Sequence, residues 1–211
     1  MGMSGNDCKR MVEYVANQLI ANEGRLGEID QKIGDGDHGI GMANGAKAIL
    51  KTLEGLKDPT PFMVFKDAGM AMMESMGGAS GIIFSALFLG LAKTAKSSEA
   101  FSGKEFLEGI RAAVASIQKR GKAALGDKTM LDALIPAERA MEHSQKEAIL
   151  PMLEQAVPAA YAGVEKTKEY PAKFGRAKFL GDRTIGYQDA GATSVALILE
   201  SMKNYLEGAE K

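Results

Sequence analysis

The stretch "GIIFSALFLGLA", residues 81–92, is the longest apolar run of the chain, and it decides the fold. Apolar side chains fall on nearly every face of a helix drawn through it, as in helices that are buried all round. The run is too short to span a bilayer, which takes about 20 residues. It therefore predicts the most buried helix of a protein that has no contact with a membrane.

Helical periodicity continues on both sides of this run. Apolar residues recur at intervals of three and four, as at Val12, Val15 and Leu19, and no segment alternates with a sustained period of two. Eight helices are predicted, at about 4–22, 38–56, 61–76, 79–96, 103–120, 130–143, 147–168 and 190–207. Pro158 predicts a kink or a break in the seventh. Because the links are short and no linker divides the chain, we expect a single all-α domain over residues 1–211, an eight-helix antiparallel bundle.

The amino-acid composition excludes several classes of protein. Apolar residues make up 45% of the chain, which is enough for a packed core, and the net charge of −1 offers no electrostatic attraction for nucleic acid. The single cysteine, Cys8, excludes a disulfide framework and a cysteine-based zinc site. The first ten residues, "MGMSGNDCKR", lack the apolar run of a signal peptide. We expect a cytoplasmic protein.

The links between the helices fall into two groups. Those after the second, fourth and sixth helices, "GLKDPTP", "KSSEAFSG" and "EHSQKE", are ordinary polar turns. Those after the first, third, fifth and seventh are rich in glycine: "EIDQKIGDGDHG", "MGGASG", "RGKAALGDKT" and "FGRAKFLGDRTIGYQDAGATS". In an up-and-down bundle, alternate links lie at the same end. We therefore expect a functional site in the loops at one end.

The first of these links holds three carboxylates, Asp30, Asp35 and Asp37. Carboxylate oxygens are the ligands of hard cations, and magnesium uses a few of them together with water and phosphate. A calcium loop of the EF-hand type does not fit, because Gly39 and Ala46 would stand at its fifth and twelfth positions. The cluster predicts a magnesium site. The alternative is that Asp37 caps the following helix and the others are solvated.

The second and third links offer groups for phosphate. In "MGGASG", the amides of Ala79 and Ser80 would point out of a helix N-terminus, a natural anion site; alternatively Ser80 or Gly78 simply caps the helix. "GKAALGDKT" is not a P-loop, because an aspartate precedes Lys128 and no strand precedes the loop. It leaves Lys128 and Thr129 available to a phosphate, unless Thr129 is only a helix cap.

The fourth link, of about 20 residues, is long for a tight domain, and such loops are usually functional or disordered. It carries Arg176, and Asp189 at its end is expected to cap the last helix. His143 is expected at the surface, away from the site. Together the four links predict a magnesium–nucleotide site, since phosphoryl transfer needs positioning and neutralisation of charge.

The motifs "IGDGDHG", "GGASG", "GDKTM" and "GRAKFLGDRTIGYQDAGATS", spaced through nearly the whole chain, closely resemble the nucleotide-binding L subunit of dihydroxyacetone kinases. The resemblance implies an eight-helix antiparallel barrel with nucleotide in the loops at one end. It implies ADP or ATP and two Mg²⁺ ions held by Asp30, Asp35 and Asp37. It implies nucleotide contacts from His38, Gly39, Ile40, Gly41, Ala79, Ser80, Gly121, Met130, Arg176, Asp189, Ala190 and Gly191.

The resemblance also implies partners. The substrate, dihydroxyacetone or a related short ketose, would be bound covalently to a histidine of a separate K subunit. In the phosphotransferase-system branch, bound ADP is recharged by a phosphohistidine of a third subunit, M, whereas ATP-dependent members usually fuse the L domain behind the K domain. We expect the three-subunit arrangement, since this chain is an L unit alone. Two alternatives stay open: an L subunit that uses free ATP, and a non-catalytic nucleotide-binding module that regulates a partner such as a transcription regulator.

Overall fold

The computed structural model describes residues 2–96, 99–144 and 148–209. Within them lie nine α-helices: α1 (Gly5–Ala21), α2 (Glu23–Gln31), α3 (His38–Glu54), α4 (Pro61–Met76), α5 (Gly78–Thr94), α6 (Gly103–Gly121), α7 (Leu131–Glu142), α8 (Ile149–Lys166) and α9 (Ala190–Ala209). Two 3₁₀ segments, Thr167–Glu169 and Ala177–Thr184, follow α8. Two-residue strands, β1 (Met3–Ser4) and β2 (Ala100–Phe101), pair antiparallel. The predicted links at 96–103 and 142–147, and the predicted helix start at 147, lie partly outside the described residues.

Eight of these helices form a closed ring. From α3 to α9, each helix contacts the next one along the chain, α9 contacts α1, and α1 contacts α3. Each contact buries an apolar stripe, and the stripes meet in one continuous core in the middle of the ring. The predicted all-α architecture of eight ring helices is confirmed.

Helix α2 is the one α-helix among the described residues that the sequence did not predict, since residues 23–31 lie between the first two predicted helices. It begins directly after α1, and the backbone N–H of Leu26 donates to the carbonyl of Asn22 at the junction. Leu26 is its one fully buried side chain among the described residues, and α2 packs outside the ring against α3 and α9. A nine-residue helix with one buried apolar residue has no periodicity to detect.

Two further expectations about the helices need correction. The 81–92 run does form a deeply buried helix, but α9 is buried without interruption from Ala192 to Leu199, whereas the first turn of α5 is exposed at the end of the ring. Helix α8 continues through Pro158 to Lys166, so there is no break there. Packing against α7 and α9 on either side stabilises the helix despite the hydrogen bond that proline cannot donate.

The helix N-termini at the two ends of the ring differ in how many are capped by a side chain. At one end, the side chains of Ser4, Thr60 and Ser102 accept hydrogen bonds from the first turns of α1, α4 and α6, although α8 has no such cap. At the other end, α3, α5 and α7 begin without a side-chain cap hydrogen bond, whereas α9 is capped by Asp189. Uncapped N–H groups together with the helix dipole attract anions. The second end is called the loop end below.

Candidate functional site

The three carboxylates come together at the loop end. Asp30 lies in the last turn of α2, and Asp35 and Asp37 lie in the turn that leads into α3. One oxygen of each lies within 4.8 Å of the others. The donor set consists of carboxylate oxygens, partly exposed, and such a set suits a hard cation such as Mg²⁺.

Asp30, rather than Asp37, organises the start of α3. One carboxylate oxygen of Asp30 accepts from the backbone N–H of Gly36 at 2.8 Å and from that of His38 at 3.4 Å. Asp37 occupies the cap position, but its side chain makes no capping hydrogen bond. The alternative that Asp37 merely caps this helix is therefore wrong. Its side chain is 65% exposed and stays free to bind a cation.

Arg176, in the long loop between α8 and α9, contacts this cluster. Its guanidinium pairs with Asp35 and lies 3.6 Å from a carboxylate oxygen of Asp37. The arginine side chain is 71% exposed, so it is free to move. A cation thus already lies against the predicted magnesium ligands, which shows that the cluster attracts positive charge.

His38 connects three helices at the loop end. Its Nε2 lies 2.7 Å from the hydroxyl oxygen of Ser194 on α9, and its ring is 5.6 Å from the ring of Phe84 on α5. Burial lowers the pKa of His38, so the ring is neutral at pH 7. A neutral imidazole held by a buried hydroxyl can orient a neighbouring group. The sequence offered no signal for Ser194, which lies in an apolar helix.

The N-terminus of α5 is open toward the same region. Gly77 and Gly78 have φ angles of 65° and 57°, which side chains rarely adopt, and they turn the chain into the helix. Ala79 and Ser80 follow in the exposed first turn. The alternative that Ser80 or Gly78 caps α5 is wrong, because Gly77 occupies the cap position. The amides of this turn are available to an anion.

The remaining predicted nucleotide contacts border this region. Gly121 ends α6, and a Cβ added there would lie 3.7 Å from Ile83 of α5. A Cβ on Gly191 would lie 3.5 Å from the backbone nitrogen of Met130, so α7 and α9 begin side by side. Ile40 is 55% exposed on the first turn of α3, between the buried Gly39 and the half-buried Gly41.

Asp189 caps α9, as predicted. Its carboxylate accepts from the backbone N–H of Ala192 at 2.7 Å. Burial raises the pKa of Asp189 to about 7, although the Ala192 amide and the charge of Lys128 act in the opposite direction. Ala190 is buried behind this cap. His143 is exposed at the C-terminus of α7, at the other end of the ring, as expected.

The prediction that Lys128 is available to a phosphate is wrong, whereas that for Thr129 stays a prediction. Lys128 is 2% exposed, and its ammonium donates to main-chain carbonyls, among them that of Tyr187 at 2.6 Å. The hydroxyl of Thr129 accepts from the N–H of Leu131 at 3.3 Å, a local contact at the start of α7. Sequence could not show that Lys128 points inward, because a lysine between aspartate and threonine in a loop is usually solvated.

These features define a class of protein: an all-α ring whose polar groups gather at one end, around three carboxylates and several uncapped helix N-termini. Residues 32–204 match the DAK2 domain family model. The chain therefore belongs to the DAK2 domain family, and the family predicted from the sequence motifs is confirmed.

Named relatives cover most of the chain. The ADP-binding subunit DhaL of PEP-dependent dihydroxyacetone kinase 1 from Listeria innocua is 40% identical over 194 residues, 92% of each chain. The corresponding DhaL subunit from Escherichia coli K12 is 34% identical over 176 residues, 82% of this chain and 84% of the relative. The predicted enzyme class, a dihydroxyacetone kinase subunit, agrees with these names.

A solved structure shows the same fold. The dihydroxyacetone kinase of C. freundii in complex with AMP-PNP and Mg²⁺ superposes with a TM-score of 0.76 and 26% identity over 97% of this chain. This chain spans 34% of that larger kinase chain. Among the described helices, none is long and apolar enough to cross a membrane.

Proposed function

We propose that this chain is the ADP-binding L subunit of a dihydroxyacetone kinase. Residues 1–211 would form one nucleotide-binding domain that holds Mg²⁺ and ADP or ATP at the loop end and passes a phosphoryl group to a short ketose on a separate K subunit. The observation that carries the proposal is the cluster of Asp30, Asp35 and Asp37, within 4.8 Å of one another and already facing Arg176. The names of the relatives support the same activity.

Different residues at the loop end would bind the metal ions and the phosphates. Asp30, Asp35 and Asp37 would hold two Mg²⁺ ions, which supply charge neutralisation and alignment of the phosphates. The uncapped first turns of α3 and α5, including Gly39 and Ser80, would donate backbone N–H groups to phosphate oxygens.

Arg176 would exchange its pairing with the carboxylates for the nucleotide phosphates, since a guanidinium binds either anion. His38 would orient the nucleotide from its position between α3 and α9. The reaction would then depend on positioning and on charge, with no covalent step on this chain.

The donor of the phosphoryl group is proposed to be a phosphohistidine of an M subunit, in the cytoplasm. Relatives that match this chain over most of their length are named as PEP-dependent or PTS-dependent, including one from Lactococcus lactis that is 39% identical over 185 residues. In this arrangement ADP stays bound and is recharged in place. Free ATP is the alternative donor, as the kinase relatives of greater length suggest, for example an L-erythrulose kinase that is 35% identical over 192 residues.

Reconstitution tests the proposal. The purified chain, loaded with Mg²⁺ and ADP, is mixed with a K subunit and dihydroxyacetone, with or without an M subunit and its phosphorylated donor, and the phosphorylated ketose is measured. We expect product only when both partners are present. Product formed by this chain with the K subunit and ATP, in the absence of the M subunit, would establish the free-ATP alternative. Turnover of the ketose by this chain without a K subunit would contradict the split site.

A further inference from the structure

Lys128 is a buried cation with no role in the function proposed so far. It is 2% exposed, and its backbone has a φ angle of 60°, in the left-handed region that residues other than glycine rarely adopt. Burial lowers the pKa of its ammonium, while the neighbouring charges of Asp189 and Asp132 raise it. Burying a charge on a strained backbone is unfavourable, so the contacts of Lys128 must compensate for it.

Those contacts join the two ends of one long segment. The ammonium of Lys128 donates to the carbonyl of Thr167, directly after α8, and to the carbonyl of Tyr187 at 2.6 Å, shortly before α9. A longer contact of 3.4 Å reaches the carbonyl of Tyr170. One side chain from the start of α7 therefore holds both ends of residues 167–189.

Additional hydrogen bonds hold the same two ends together. The hydroxyl of Thr167 accepts from the backbone N–H of Asp189 at 2.9 Å and donates to the carbonyl of Val164 at 2.6 Å. The N–H of Gly186 donates to the carbonyl of Lys168 at 2.8 Å. Lys128 and Thr167, with the backbone groups that they contact, are called the loop clamp below.

The stretch around Arg176 is more exposed than the ends of the segment. Phe179 is 79% exposed, and the side chain of Arg176, which pairs with Asp35, is 71% exposed. Fixing the ends of a loop reduces the volume that its middle can explore. The clamp thus restricts where Arg176 can lie.

We propose that Lys128 is a positioning residue for nucleotide binding: the loop clamp places Arg176 and the N-terminus of α9 against the nucleotide. This inference rests on the proposed function, because it assumes that Arg176 binds the phosphates. The ammonium of Lys128 donates to main-chain carbonyls of the loop, so its effect on nucleotide binding would pass through the loop. Small displacements of a binding group cause large losses of productive contact, so its effect on affinity is expected to be substantial.

The test compares matched variants. Lys128→Met removes the ammonium, and Thr167→Val removes only the hydroxyl, in case the first variant fails to fold. Lys173→Met is the control, because Lys173 lies on the same loop but is 62% exposed and pairs with Asp127. The affinity for Mg-ADP is measured by calorimetry, and backbone hydrogen exchange is measured in residues 175–187 and in α6.

We expect Lys128→Met to weaken Mg-ADP binding by on the order of tenfold, Thr167→Val by a smaller factor, and Lys173→Met by less than about twofold. Exchange should accelerate in residues 175–187 and stay unchanged in α6. A combined variant separates positioning from general destabilisation. If the clamp acts through Arg176, the double variant Arg176→Ala with Lys128→Met, or with Thr167→Val, should lose less binding free energy for Mg-ADP than the sum of the losses in the two single variants.

Three results would overturn the inference: unchanged affinity in the clamp variants, fully additive losses with Arg176→Ala, or accelerated exchange in α6 as well as in the loop. If wild-type protein does not bind Mg-ADP, the proposed function itself fails. In that case the exchange comparison still reports whether the clamp holds the loop.

Discussion

Asp35→Asn should have opposite effects on stability and on nucleotide binding. Two like charges 4.8 Å apart repel by about 1 kcal/mol in bulk water and about 3.5 kcal/mol at an effective dielectric constant of 20. Asp35 faces two other carboxylates, so its neutralisation removes two such repulsions, at the low end of this range because Asp37 is 65% exposed. The lost pair with Arg176 is exposed and contributes about 0–1 kcal/mol. The metal-free variant should therefore be more stable than wild type by about 1–2 kcal/mol.

The affinity for Mg-ADP should decrease in the same variant. A hydrogen bond to a charged group contributes about 1.5–3 kcal/mol, and a charged metal ligand contributes at least as much, so the affinity for Mg-ADP should fall by at least about 10- to 100-fold. The assay is thermal unfolding of the metal-free protein together with calorimetric titration of Mg-ADP. Asp67→Asn is the control, since Asp67 pairs with Lys66 on α4 and should change neither quantity. A clear loss of stability with wild-type affinity would show that the carboxylates are structural and refute the reasoning.

Three further predictions follow from single residues. Gly39→Ala should lower the unfolding temperature, because its Cβ would lie 2.1 Å from the carbonyl oxygen of Glu23. Gly41→Ala should not, because its Cβ would have no contact nearer than 3.8 Å. Equal effects of the two substitutions would contradict the close packing of α2 on α3. Asp189→Asn should gain stability relative to wild type as pH rises from about 4 to about 7. The pKa of the Asp189 carboxyl is raised from 3.8 to about 7, so the folded wild type binds a proton that the unfolded chain releases, and its stability falls as pH rises through that window. A stability difference that stays constant over this window would argue against a buried carboxyl. His38 should not carry phosphate, since its Nε2 is already engaged by the hydroxyl of Ser194. After charging with radiolabelled donor and denaturation at mildly alkaline pH, label should appear in released ATP. Label on the polypeptide that disappears in His38→Ala would contradict this.

The helices of the ring could be predicted because each buries an apolar stripe with a period near 3.6 residues. Helix α2 could not, because it depends on the single buried Leu26 and on contacts with helices that are distant in the sequence. The same distinction applies to Pro158. Local propensity predicted a kink or a break there, and α8 continues without a break because it packs on both sides.

At the loop end, the sequence predicted which segments gather and which acids cluster. It could not assign the hydrogen bonds within them. Asp30 rather than Asp37 closes the turn before α3, and this depends on the position of α2. Lys128 turns inward because its backbone adopts a left-handed conformation, which no sequence pattern reveals in a residue other than glycine.

The central claim is that Mg-nucleotide binds at the loop end through Asp30, Asp35 and Asp37. Paramagnetic Mn²⁺ in place of Mg²⁺ tests it most directly, because it broadens the amide resonances of residues close to the ion. With Mn²⁺ and ADP, we predict loss of the signals of Gly36, His38 and Ser80, while those of Phe101, at the other end of the ring, persist. Broadening at the other end, or none at the loop end in the presence of ADP, would contradict the account.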